Sequence, residues 1–130
     1  MYLLDTATLV DLTRRKPRVH ANINAHRLFP MAFSIVSYGE LMYGCQKSCD
    51  VQNELNKVKQ LENNYPIINT SRKIMECFGE TKAILSRSGI TVDDFDLLIA
   101  CTALTMNYTI VTSNIKHFGK IPDLKIVNWS

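Results

Sequence analysis

The chain has 130 residues and a net charge of +3 at neutral pH, with 46% apolar and 21% charged residues. This composition is typical of a soluble globular domain, so we expect one domain that spans residues 1–130. The charge permits a polyanionic partner without demonstrating one, and no apolar run approaches the roughly 18 residues of a membrane-spanning helix, which favours a cytoplasmic protein.

The first part of the chain predicts strand, helix, helix and strand in turn. A short apolar run, Tyr2–Leu4, predicts a strand that ends at Asp5. A helix is expected to follow and to be closed by Pro17. Residues 19–28 predict a second helix, and the run Met31–Val36, which is apolar and contains β-branched residues, predicts a buried strand.

Helices dominate the middle of the chain. Ser37 is expected to start one helix, and residues 50–63 carry apolar side chains at helical spacing. Residues 71–88 carry an apolar face of the same kind, and Gly89 provides a stop. The sequence therefore predicts three successive helices here.

The last third of the chain begins with acid and ends with short strands. Residues 97–104 are apolar nearly all round, which predicts a helix buried in the core. Residues 109–112 predict a strand, 114–118 a turn or short helix, and 125–129 a closing edge strand. Alternation of this kind favours an α/β fold with a parallel sheet, in which ligands lie at the carboxyl ends of the strands.

Acidic residues occur where predicted strands end or predicted helices start. Asp5 can cap a helix, and Ser37 with Glu40 matches the S-x-x-E capping box. The acids of Asp93–Asp96 suit the positive end of a helix dipole. Each acid therefore has a plain structural explanation when it is considered alone.

Capping does not require these acids to converge, but the predicted topology brings them to one edge of the sheet. Carboxylates that lie close together raise one another's pKa unless a cation neutralises them. Mg²⁺ and Mn²⁺ prefer such hard oxygen ligands, and a site of this type suits hydrolysis of phosphodiesters. The pattern therefore indicates a divalent-metal site as the functional alternative to simple caps.

Five stretches follow one another in a characteristic order. They read LLDT at 3–6, S-x-x-E-L-x-x-G at 37–44, DLLIACTAL at 96–104, IVTSNIKHF at 110–118, and the closing segment 121–129. Together they resemble the PIN-domain ribonucleases, in particular the VapC toxin subunits of VapBC toxin–antitoxin pairs. The resemblance covers nearly the whole chain.

The resemblance implies a PIN-like three-layer α/β fold with a mostly parallel central sheet flanked by helices. It places the family's three acids at Asp5, Glu40 and Asp96, and a fourth site position at Asn114. It implies an endoribonuclease that uses Mg²⁺ or Mn²⁺ and leaves a 3′ hydroxyl and a 5′ phosphate. It also implies an RNA substrate, a cognate antitoxin and a homodimer.

The chain departs from the family pattern in two places. Ala7 stands where many members have Asn, and Asn114 stands where an Asp is frequent, so the fourth position is uncharged. His117 is close enough in sequence to contact a phosphate, although a turn histidine is the commoner explanation. Thr6 and Thr112 can support the acids through their hydroxyl groups.

Other interpretations stay open at this point. A receiver-like phosphotransfer domain is disfavoured because no lysine follows a late strand as that chemistry needs. A binding module that keeps the fold without turnover is supported by the uncharged Asn114.

The basic run Arg14–Arg18 can guide an RNA backbone or serve as a dipole partner at a helix end. Cys45 and Cys49 lack the matching pair that zinc would need, so we expect core cysteines.

Overall fold

One sheet of five short strands forms the centre of the molecule. The structure is a computed structural model and describes residues 1–130. The strands are β1 (Tyr2–Leu4), β2 (Met31–Ser34), β3 (Ile67–Ile68), β4 (Thr109–Val111) and β5 (Ile126–Val127). Their order in the sheet is β3-β2-β1-β4-β5, and every neighbouring pair is parallel.

Seven helices connect these strands. They are α1 (Thr6–Thr13), α2 (Pro17–Ala25), α3 (Ile35–Gln46), α4 (Val51–Asn64), α5 (Arg72–Arg87), α6 (Asp94–Met106) and α7 (Ile115–Phe118). Parallel strands require crossover connections, which these helices provide. No helix has the length and apolar character that a membrane crossing requires.

The alternation of side chains along each strand divides the core into two layers. Leu3 and Ile110 pack with α5, α6 and α7 on one face of the sheet. Leu4 and Val111 pack with α1, α3 and α4 on the other face. The predicted three-layer α/β fold with a parallel sheet is therefore confirmed.

Several predicted boundaries were wrong for local reasons. Pro17 begins α2, where its missing N–H costs no hydrogen bond, instead of closing α1. Ser34 caps α3 by accepting a hydrogen bond from the backbone N–H of Val36 at 3.0 Å, so this helix begins before Ser37. The prediction that Cys49 is a core residue was also wrong, because Cys49 is exposed.

Candidate active site

Three neighbouring strands end at the centre of the carboxyl edge of the sheet. Asp5 directly follows β1, Ser34 at the end of β2 leads into α3, and Thr112 directly follows β4. Because β1 lies between β2 and β4, the residues after these strands meet at one place. The predicted convergence of functional residues at this edge rests on this topology.

Asp5 is a buried carboxylate that also caps a helix. Only 3% of the residue is exposed, and its Oδ1 accepts a hydrogen bond from the backbone N–H of Thr8 at 2.8 Å. Burial raises the pKa of Asp5, and hydrogen bonds from Thr112 and Thr8 partly offset this rise. The capping role and the position at the carboxyl edge therefore occur in the same residue.

Glu40 faces α1 and does not cap its own helix. The hydroxyl of Thr6 donates a hydrogen bond to Oε1 of Glu40 at 2.7 Å, and its Oγ1 lies 3.0 Å from Oγ of Ser37. Ser37 lies inside α3, so the capping-box interpretation of Ser37 and Glu40 was wrong. Their spacing of three residues instead places both side chains on one helix face toward Thr6.

Asp96 lies in the first turn of α6 but leaves the capping role to Asp93. The Asp93 carboxylate accepts hydrogen bonds from the backbone N–H groups of Phe95, at 3.1 Å, and Asp96, at 3.4 Å. Burial raises the pKa of Asp96, and the charges of Asp93 and Glu40 raise it further. The charge of Asp5 also raises this pKa, so the acid that follows β1 and an acid of α3 both act on this residue of α6.

His117 and Asn114 complete one side of this edge. Nδ1 of His117 lies 3.7 Å from Oδ2 of Asp96, and the imidazole lowers the pKa of that carboxyl group. The amide Nδ2 of Asn114 lies 2.9 Å from the same Nδ1. The backbone N–H of Asn114 donates to Oγ1 of Thr112 at 2.9 Å. The sequence did not reveal that His117 faces an acid of the site, because only the turn into α7 brings them together.

The acids have the donor chemistry of a divalent-metal site, but their side chains are held by protein partners. No group of three His, Cys, Asp or Glu side chains lies close enough together to hold a metal ion. Asp5 bonds to Thr8, and Glu40 bonds to Thr6. Hard carboxylate oxygens with raised pKa values are nevertheless the groups whose charged form a divalent cation stabilises.

Comparison with known proteins gives the family. A PIN-domain profile matches residues 2–124. Ribonuclease VapC2 of Rickettsia felis is 34% identical over 132 residues, which cover 99% of this chain and 98% of that protein. This chain belongs to the PIN-domain family. The resemblance to VapC proteins that the motifs indicated is thereby confirmed.

Two further relatives extend this PIN-domain comparison. The tRNA(fMet)-specific endonuclease VapC of Salmonella typhimurium is 29% identical, with 98% of this chain and 97% of that protein covered. The crystal structure of VapBC2 from Rickettsia felis bound to a promoter DNA fragment superposes with a TM-score of 0.94 at 31% identity. This superposition covers 99% of this chain and 98% of the matched Rickettsia felis chain. The PIN-domain fold is therefore matched over essentially the whole chain.

Proposed function

We propose that this PIN-domain chain is a divalent-metal-dependent endoribonuclease and the toxin of a toxin–antitoxin pair. The observation that carries the proposal is the position of three acids from separate elements at one sheet edge: Asp5 directly follows β1, Glu40 bonds to the adjacent Thr6, and Asp96 lies beside the turn that follows β4. The charges of Glu40 and Asp5 both raise the pKa of Asp96, although the three residues lie far apart in sequence. Relatives named as VapC ribonucleases cover the whole chain, which supports the same function.

The charge of the site explains why a cation is part of the proposal. A phosphodiester is an anion, and an edge that presents Asp5, Glu40 and Asp96 would repel it. We infer that these three carboxylates hold Mg²⁺ or Mn²⁺. Such an ion, when bound, lowers the pKa of a coordinated water and offsets charge on the scissile phosphate.

The neighbouring polar groups would position the acids. The Thr6 hydroxyl fixes the direction of the Glu40 carboxylate, and the Thr8 N–H fixes that of Asp5. His117 lies beside Asp96, and because its Nδ1 accepts a hydrogen bond from the Asn114 amide, its Nε2 is the nitrogen that can donate to a phosphate oxygen. Asn114 can offer its amide group to a bound water.

Partners follow from the same relatives. The Rickettsia felis and Salmonella typhimurium neighbours are VapBC structures bound to DNA. We propose that this chain likewise binds a cognate antitoxin, that its substrate is RNA, and that it forms a homodimer in the cytoplasm. Light scattering on the purified chain measures the oligomeric state directly, and a monomeric mass would contradict the dimer.

Cleavage of a mixed RNA pool tests the function. We expect the wild-type chain to cleave RNA with Mg²⁺ or Mn²⁺ and to lose this activity in EDTA. Asp96→Asn should abolish cleavage because it removes a ligand charge with little change in volume. Asp94→Asn is the matched control, since Asp94 is exposed on the same helical turn and pairs with Lys82 at 2.9 Å. Equal activity of the two variants would contradict the proposed role of Asp96.

A binding module without turnover is the second candidate. It is favoured by the uncharged Asn114 and by the absence of three side chains that jointly surround a metal position. This alternative predicts that the wild-type chain binds RNA with or without EDTA and cleaves none of the pool. Cleavage that depends on the cation and on Asp96 would exclude it.

A further inference from the structure

A groove leads away from Glu40 between α1, α3 and α4. Its volume is about 350 Å³, and its lining includes Thr6 and Glu40 at the active-site edge. Arg14, Lys47 and Lys57 also line it. Because α1 and α3 both begin at the carboxyl edge and run away from it, Arg14 and Lys47 lie at the far end.

A second depression continues this groove. It shares Thr13 and Lys57 with the first, and it has a volume of about 790 Å³. It adds Arg15 and a set of side-chain amides. These amides belong to Asn53, Gln60 and Asn64. A trench lined mostly by polar residues, with cations on its walls, therefore starts at Glu40.

The cations of this trench are largely available to a ligand. Arg14 and Lys47 form no ion pair, and Lys47 lies 5.0 Å from the centre of the Tyr43 ring. Lys57 pairs with Glu54 at 3.0 Å, but both side chains are more than one-third exposed, so the pair holds Lys57 weakly. Unpaired cations in a groove are a binding feature for a polyanion.

Helix dipoles explain part of this arrangement but not all of it. A cation at the carboxyl end of a helix is favourable by itself, and Arg14 and Lys47 cap α1 and α3 there. The dipoles do not require the two cations to line one groove that also reaches Glu40. That shared groove is what indicates a ligand of the active site.

We propose that this groove binds the phosphodiester backbone of the RNA strand on one side of the cleavage point. The inference rests on the proposed ribonuclease function and identifies where its substrate lies. The 8 residues of α1 extend about 12 Å, which corresponds to roughly three nucleotides of a stacked strand. Arg14, Lys47 and Lys57 would contact phosphates toward the far end of the groove, and the amides of the second depression would contact sugars or bases.

The lining favours RNA over an acidic protein segment. A protein segment generally anchors through apolar or aromatic side chains in pockets, and most of the residues that line this trench are polar. Several cations in a polar groove match a phosphodiester chain better. The acidic protein segment is therefore retained as an outcome of the test and not as the proposal.

Fluorescence anisotropy with a labelled single-stranded 12-nucleotide RNA tests the inference, in EDTA so that binding is measured without cleavage. The triple variant Arg14→Gln, Lys47→Gln, Lys57→Gln should weaken binding about tenfold or more and lower the salt slope by about 2. The matched control removes three cations from α5, on the opposite layer: Arg72→Gln, Lys73→Gln, Arg87→Gln. This control has the same net charge as the groove triple variant and should bind the RNA as tightly as wild type.

Glu54→Gln provides a test of opposite sign. It removes an acid from the groove wall and frees Lys57, so we expect tighter RNA binding. Wild-type affinity in the groove triple variant, or an equal loss in the α5 control, would overturn the inference. If the groove triple variant loses poly-L-glutamate binding while its RNA binding is unchanged, the inference is also overturned and the groove is assigned to an acidic protein segment.

The cleavage assay separates this inference from the proposed function. If wild type cleaves RNA in an Asp96-dependent way but the groove variants bind normally, only the groove assignment fails. If nothing is cleaved while the groove variants lose RNA binding, the nuclease function fails and the groove assignment stands.

Discussion

Asp5→Asn removes a charge that the fold buries while it keeps the cap of α1. Asp5 is 3% exposed, and its carboxylate accepts a hydrogen bond from the Thr8 N–H at 2.8 Å. Asn caps helices about as well as Asp, so the variant retains this hydrogen bond. We expect Asp5→Asn to be more stable than wild type at pH 7.5 in EDTA, and to be inactive as a nuclease.

The magnitude follows from linkage. Burial raises the pKa of Asp5 above its ordinary value of 3.8, so the charged form destabilises the folded state. A tenfold change in the protonation equilibrium of Asp5 corresponds to about 1.4 kcal/mol, or roughly 5 °C in the melting temperature of a domain of this size. Because the pKa is raised, this penalty is complete above the folded pKa and disappears as the pH falls below 3.8. The advantage of Asn should therefore shrink on acidification.

Urea unfolding followed by the fluorescence of Trp129, the single and buried tryptophan, measures these differences. Wild type, Asp5→Asn and Asp5→Ala are compared at several pH values between 7.5 and 4. Asp5→Ala should be less stable than Asp5→Asn by about 1 kcal/mol, because it loses the cap. The reasoning is refuted if Asn gives no gain at pH 7.5, or if its gain is the same at every pH.

Two further predictions concern Thr6 and Gly119. Thr6→Val should slow RNA cleavage about tenfold because Glu40 loses its hydrogen-bond donor, whereas Thr6→Ser should remain close to wild type in the same assay. Gly119→Ala should destabilise the fold by about 1–3 kcal/mol in urea, since its Cβ would meet the Ile115 carbonyl oxygen at 2.7 Å. Gly79 lies inside α5, and a Cβ there would meet open space, so Gly79→Ala should stabilise the fold by about 0.5–1 kcal/mol. A Gly119→Ala variant that is more stable than Gly79→Ala would contradict both assignments.

Much of the fold could be predicted because its elements have strong local signals. The apolar run Tyr2–Leu4 and the amphipathic helix predicted at residues 71–88 correspond closely to β1 and α5. The strand Ile67–Ile68 could not be predicted, since two residues carry too little periodicity. The start of α3 was misplaced because Ile35 and Val36 are β-branched, and tertiary packing placed them in a helix.

The sequence indicated the three acids of the candidate site, which remain a prediction, but not their contacts. Asp5, Glu40 and Asp96 follow from their places at strand ends and helix starts and from the resemblance to the family. The sequence could not show which acid caps α6, because Asp93 and Asp96 are both compatible with that role. It also could not show that Glu40 bonds to Thr6, since the two residues lie 34 positions apart and meet only in the folded chain.

Calorimetric titration of Mn²⁺ into the metal-free chain tests the central claim most directly. The proposed site predicts saturable binding to wild type and to the control Asp94→Asn, and strongly weakened binding to Asp5→Asn, Glu40→Gln and Asp96→Asn. Absence of binding to wild type, or equal binding by all five proteins, would contradict the claim that these three carboxylates act together on one cation.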